Sequence, residues 1–386
     1  MDLGSLLRLN HLIKLNDCDS AIDLVDKMNY QYTGGILLFL IGLISARQCF
    51  GKPIQCWVPV HYSRAWTEYA EDICWAQNTY FLPSNKSIPK TEKDINEQQF
   101  VTYYQWVTIF LGIQAVFSYL PYLIWFISTR KFMGLLITLK KGYLMDKETR
   151  KKSVTLLSGE FEEKFENNSR KKFSFQGTVC TLFFISRFIC IGFNCCQLYL
   201  MKIFLGMENI FFGVKILMNV IQGFQWELSG HFPRVTICRF EIRKWKPLTP
   251  EIETIQCALT INYFFEKMYV FLWFWFITVI VITTLNTIMW IIRIYYSYYS
   301  HKFIKRYIIT LKSLSKDDKN DCHKFIRLFL GIDGIFLLLS ISSTVSDLIL
   351  FEVVGKFWNL FRQRSEMKNQ SENSKMSDNE SCSGVV

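Results

Sequence analysis

Histidine is scarce in these 386 residues, and the five present (His11, His61, His231, His301, His323) are scattered, none at ligand spacing. No phosphate-binding glycine loop, nucleophile elbow, HExxH helix or cysteine-rich zinc pattern occurs. These absences argue against an enzyme, a bound metal and a cofactor. Internal repeats at a period of roughly 20–50 residues are missing as well, which excludes a repeat architecture. The opening also lacks the basic stretch of a secretory signal. Residues 1–30 carry Asp2, Asp17, Asp19, Asp23 and Asp26, with no basic region leading into a short apolar core. The first apolar run is therefore expected to stay in the protein as a signal-anchor.

Charge is missing where it matters most. Tyr30 to Ala46 has none, Gln98 to Thr129 has none over 32 residues, and Met268 to Ile292 has none over 25. Phe173 to Met201 is interrupted only by Arg187. A helix crosses the hydrocarbon with about 20 apolar residues, and isolated apolar runs in lipid take the helical form. Spans are expected at 29–49, 103–127, 177–202 and 267–292. A fifth run, Leu328 to Phe351, holds Asp333 and Asp347, each costing about 2.5–3.5 kcal/mol near a helix centre. Gly331 and Gly334 weaken its helix further. It reads as the buried core of a cytoplasmic domain. Half of the chain is apolar, 16% aromatic and 20% charged, as a bundle with polar loops requires. The net charge of +11 sits beside the apolar runs, so it points to membrane topology and not to nucleic acid.

The basic residues also orient the chain. Residues 128–176 hold 12 Lys and Arg, against 5 in 51–102 and 6 in 205–265. The middle loop is thus expected inside and the other two outside. After the last run, YYSYYSHKFIKRY at 295–307 sets tyrosines before Lys302, Lys305 and Arg306, the order of a cytoplasmic boundary. The expected layout is a cytoplasmic N-terminal segment (1–28), an external loop (50–102), a cytoplasmic loop (128–176), a second external loop (203–266) and a cytoplasmic C-terminal domain (293–362). The tail, 363–386, is too polar to bury a core and is expected to be disordered. The fold class is an all-α membrane protein: a four-helix transmembrane bundle with a small disulfide-linked extracellular domain and a helical cytoplasmic domain.

Of 12 cysteines, four fall in the external loops, two in each: Cys56 and Cys74, then Cys238 and Cys257. An oxidising exterior favours disulfides, and four cysteines allow three pairings, among which spacing cannot choose. Cys180, Cys190, Cys195 and Cys196 lie in the third run, where thiols pack as small apolar groups and no His or carboxylate makes a metal site.

These residues resemble a family, the innexins. The resemblance is carried by QCW at Gln55–Trp57 with a second cysteine eighteen residues on, YYQWV at Tyr103–Val107, and GHFPRVTICRF at Gly230–Phe240. It continues through CALTINYFFEKMYVFLWFW at Cys257–Trp275 and LGIDGIF at Leu330–Phe336, covering about residues 1–360. Connexins, similar in architecture, carry three cysteines per loop. One departure is Thr108, where the family often has proline after YYQWV; Pro121 remains. The resemblance implies an octameric hemichannel of innexin subunits in the plasma membrane, able to dock with another in an adjacent cell as a gap junction. It also implies the nested disulfides Cys56–Cys257 and Cys74–Cys238. The N-terminal segment, Met1 to about Asp17, would fold into the pore mouth, and the first span would line the conduit.

Pore and selectivity candidates are Asp2, whose carboxylate ring would favour cations, then Arg8, Lys14 and Arg187. Arg187 has no carboxylate in the first two charge-free runs, which leaves an interior contact, snorkelling or a watery crevice. Tyr103, Tyr104 and Trp106 suit either an interfacial belt or packing against the external domain or a neighbouring subunit. Asn85-Lys86-Ser87 is a glycosylation sequon in the first external loop, and its glycan would hinder docking. Two other readings compete: a four-span adhesion or scaffold protein of the claudin or tetraspanin kind, and an auxiliary subunit that conducts only with other innexins.

Overall fold

A computed structural model of the chain describes residues 23–60, 62–82, 99–144, 147–170, 177–207, 209–222, 232–243, 250–311 and 318–382. Helix α1 (Leu24–Phe50) leads into strand β1 (Gln55–Trp57), helix α2 (Arg64–Gln77), and strands β2 (Thr79–Phe81) and β3 (Gln99–Val101). Then come α3 (Val107–Ser128), α4 (Arg130–Leu144), α5 (Lys147–Arg170), α6 (Thr178–Phe204) and α7 (Phe212–Ile221). The hairpin β4 (Val235–Arg243) and β5 (Pro250–Ala258) precedes α8 (Asn262–Tyr295). The chain closes with α9 (Ser297–Leu311), α10 (Asp318–Lys324), α11 (Gly331–Thr344) and α12 (Asp347–Cys382).

Helices α1, α3, α6 and α8, of 27, 22, 27 and 34 residues, are long and apolar enough to cross a membrane. At 1.5 Å per residue even the shortest reaches about 33 Å, enough for roughly 30 Å of hydrocarbon. The chain divides into two compact units, each taking a part of all four helices. One comprises Met1–Lys27, Tyr122–Ile189 and Thr283–Val386; the other, Met28–Pro121 and Cys190–Ile282.

The second unit carries the disulfide-linked domain. Its five strands form one sheet in the order β1-β5-β4-β2-β3, all antiparallel. Along β4 the side chains of Thr236, Cys238, Phe240 and Ile242 are buried, the alternation of a half-buried strand. The helical fold class describes the bundle; this small sheet is an addition to it. Glycine is required where α7 meets α8. A Cβ on Gly213 of α7 would come within 2.4 Å of the Trp273 ring of α8, whose indole N–H donates to Ile210 O at 2.7 Å.

The first unit has its own core, with α4, α5, α9, α11 and α12 all contributing. The fifth apolar run belongs to this core. Its helix α11 is only 14 residues long, about 21 Å, and Gly334 through Ile341 are all buried. Both of its acids are satisfied: Asp333 accepts the Cys180 N–H at 3.1 Å in the first turn of α6, and Asp347 accepts from Tyr307 and Ser342. A carboxylate at a helix N-terminus is favoured by unpaired N–H groups and the helix dipole. Helix α12 runs from Asp347 to Cys382, past residue 363 where the polar tail begins.

Candidate functional site

In the second unit, β1 and β5 set Cys56 directly opposite Cys257, and the two are disulfide-bonded with Cα atoms 4.0 Å apart. Cys74, on the buried side of α2, bonds Cys238 in the middle of β4. This is the nested arrangement that the resemblance implied. One bridge closes the sheet edge and the other fixes α2 to the sheet. Sulfurs of Cys56, Cys74 and Cys257 lie within 4.8 Å of one another, but as disulfides they offer no thiolate to a metal.

The YYQWV segment locks onto this domain. Tyr104 is fully buried with its ring 4.7 Å from that of Trp75, and its hydroxyl donates to Trp75 O at 3.4 Å. The Gln105 amide donates to Trp75 O and Ala76 O, at the C-terminal end of α2. Burial pushes the Tyr104 phenol up to about 12 and raises that of Tyr103 as well. Trp106 faces outward, 58% exposed, as a belt residue would. The motif thus divides, Tyr104 and Gln105 packing inward and Trp106 outward. Below it, Gln114 of α3 donates to Gln197 O at 3.4 Å, and Gln197 donates to the Ser118 hydroxyl at 3.3 Å. At the foot of α1, Asn194 of α6 donates to Asn29 at 2.8 Å, both buried.

In the first unit, Arg187 is 1% exposed. Its Nη2 donates to Asp26 at 2.9 Å, Nη1 lies 2.8 Å from the other Asp26 oxygen, and Asp23 is 3.7 Å away. Phe183, one turn back, lies beneath it with the ring centroid 4.9 Å away. Trp290 of α8 donates its indole N–H to Asp23 at 3.2 Å. Beside the two acids is a cavity of about 30 Å³, room for a water molecule, walled by Trp125, Phe183, Trp290 and Phe336. The arrangement ties the start of α1, where the N-terminal segment leads in, to α6 and α8. Arg187 is therefore an interior contact within the subunit, made to carboxylates. Asp23 and Asp26 precede the charge-free run of the first span, so the sequence alone does not single them out as partners of Arg187. A π-helical turn, Met28–Tyr32, separates them from the rest of α1. Asp2, Arg8, Lys14 and Asn85 lie outside the described residues.

Comparison with known proteins agrees with these features. The innexin family model matches residues 22–361. Innexin unc-9 of Caenorhabditis elegans is 32% identical over 364 residues, 90% of this chain and 94% of that protein. Innexin eat-5 of the same animal is 30% identical over 379 residues, covering 88% and 87%. Innexin-19 of Caenorhabditis briggsae is 31% identical over 385 residues, covering 89% and 87%. With four membrane helices, a domain closed by two disulfides and a match along nearly its whole length, this chain belongs to the innexin family.

Proposed function

We propose that the protein is a subunit of a large-pore oligomeric channel, passing ions and small solutes between cells as a gap junction or across one plasma membrane as a hemichannel. The observation that carries this reading is the innexin match over residues 22–361, on a chain with four membrane helices. The oligomer is an octamer of innexin subunits. The disulfide-linked domain faces outward, where oxidation keeps its bridges closed. Both termini and the helical domain face inward, in keeping with the 12 basic residues of 128–176. The N-terminal segment with Asp2, Arg8 and Lys14 forms the pore mouth, and α1 lines the conduit. The interior ties of Asp23 and Asp26 support this, because they hold the start of α1 at a fixed place.

Recording from paired cells tests the proposal. Junctional current between two expressing cells establishes docking. Current or dye uptake in single cells without junctional current establishes a hemichannel. Silence in both, rescued by a second innexin, establishes an auxiliary subunit. Silence that no innexin rescues overturns the channel reading.

A further inference from the structure

Helix α9 begins two residues after α8 ends, and its two faces differ. Ser300, Ile304 and Ile308 are buried in the core of the first unit. On the opposite side Tyr298, Lys302, Lys305, Arg306 and Ile309 are exposed, one continuous stripe at helical spacing. Tyr295, Tyr296 and Tyr299 join it, between 51% and 63% exposed. The Lys302 ammonium sits 5.6 Å from the centre of the Tyr298 ring. No carboxylate pairs with Lys302, Lys305 or Arg306 among the described residues, and α9 itself carries no acid. Three cations and four phenols thus face away from the protein.

We propose that this face of α9 binds anionic phospholipid headgroups in the leaflet where α8 ends. Two observations select that occupant. The first is continuity: α8 is a membrane helix of 34 residues, about 51 Å, longer than the hydrocarbon it crosses, so its end and the start of α9 lie at headgroup depth. Exposed tyrosines at that depth take their preferred place, rings toward acyl chains and hydroxyls toward water. The second is charge: Lys302, Lys305 and Arg306 lie within a little more than one turn, matching a phosphate and its neighbours. Arg306 can engage two phosphate oxygens at once. Because α9 also packs into the core of its unit, a bound headgroup would brace that core against the membrane.

The test uses the full-length protein in detergent, titrated with short-chain phosphatidylserine, short-chain phosphatidylcholine and the free headgroup glycerophosphoserine. Phosphatidylserine should bind, more weakly as salt is raised, while phosphatidylcholine should not. The free headgroup should bind far less well than the lipid. Lys302→Gln should weaken phosphatidylserine about fivefold, and K302Q/K305Q/R306Q on the order of a hundredfold. The pair Lys151→Gln and Lys152→Gln, exposed on α5, should leave binding unchanged. Should the triple variant fail to fold, Lys302→Gln and the salt series decide. Equal binding of both lipids, or full affinity in the Lys302 and triple variants, would overturn the proposal. So would loss of subunit assembly in the variants without any lipid preference in the parent, which would make this face a subunit contact.

Discussion

A guanidinium near the centre of a membrane helix costs about 2.5–3.5 kcal/mol on insertion scales, and Arg187 offsets this with two carboxylates from the start of α1. Removing one partner of a buried pair leaves the other charged and unmatched, at about 3–5 kcal/mol. Arg187→Gln should therefore lower the melting temperature of the purified protein and the amount reaching the cell surface. Adding Asp26→Asn removes the stranded charge, so the double variant should be more stable than Arg187→Gln alone. Channels of either variant that do reach the surface should keep the parent's cation/anion permeability ratio, since the side chain is enclosed within the subunit. A shifted ratio would instead put Arg187 in the conduit. Reading the sequence exposed the anomaly but not its answer. A mid-span arginine announces that a carboxylate is needed, whereas Asp23 and Asp26 looked like part of an acidic leader until the fold brought them to α6.

Elements were legible in proportion to their length. The charge-free runs gave four long helices because lipid leaves the backbone little alternative. The sheet escaped notice: β1, β2 and β3 are three residues each, and pairing between distant loops leaves no local period. Only β4 and β5, nine residues each, are long enough to carry a period of two. Close packing of α7 on α8 was likewise invisible, since it rests on Gly213 having no side chain. Gly213→Ala would press a methyl into the Trp273 ring, and overpacking of this kind costs about 1–3 kcal/mol. A lower melting temperature should result, and Trp273→Leu in the same chain should recover part of it by opening the space. The histidines also acquire a property through the fold. Burial, and then the His323 ring stacked 5.0 Å away, hold the His301 imidazole below its ordinary 6.5. The unfolded chain therefore binds the extra proton first as pH falls. Stability should decline as pH falls from about 6.5 to the lowered value, and stay flat above 6.5. Melting curves across that window check this, and His323→Gln should shallow the slope.

At the scale of the whole molecule, the question is whether the disulfide-linked domain can meet its counterpart on another cell. The two bridges make that domain stiff, which favours docking, because a preorganised surface loses little entropy on association. The sequon at Asn85 works against it. Its position in the chain is informative: it falls between β2 and β3, the two strands at one edge of the sheet. A glycan there would add a bulky hydrated group to the segment that joins these two strands. Enzymatic deglycosylation should then shift the gel mobility of the parent but not of Asn85→Gln. If the glycan blocks docking, Asn85→Gln should raise junctional conductance between paired cells while single-cell current stays at the parent's level. Unchanged gel mobility removes the glycan from the argument. A glycan present with no change in junctional conductance would mean that it points away from the docking face, and that whatever decides between junction and hemichannel lies in the protein surface itself.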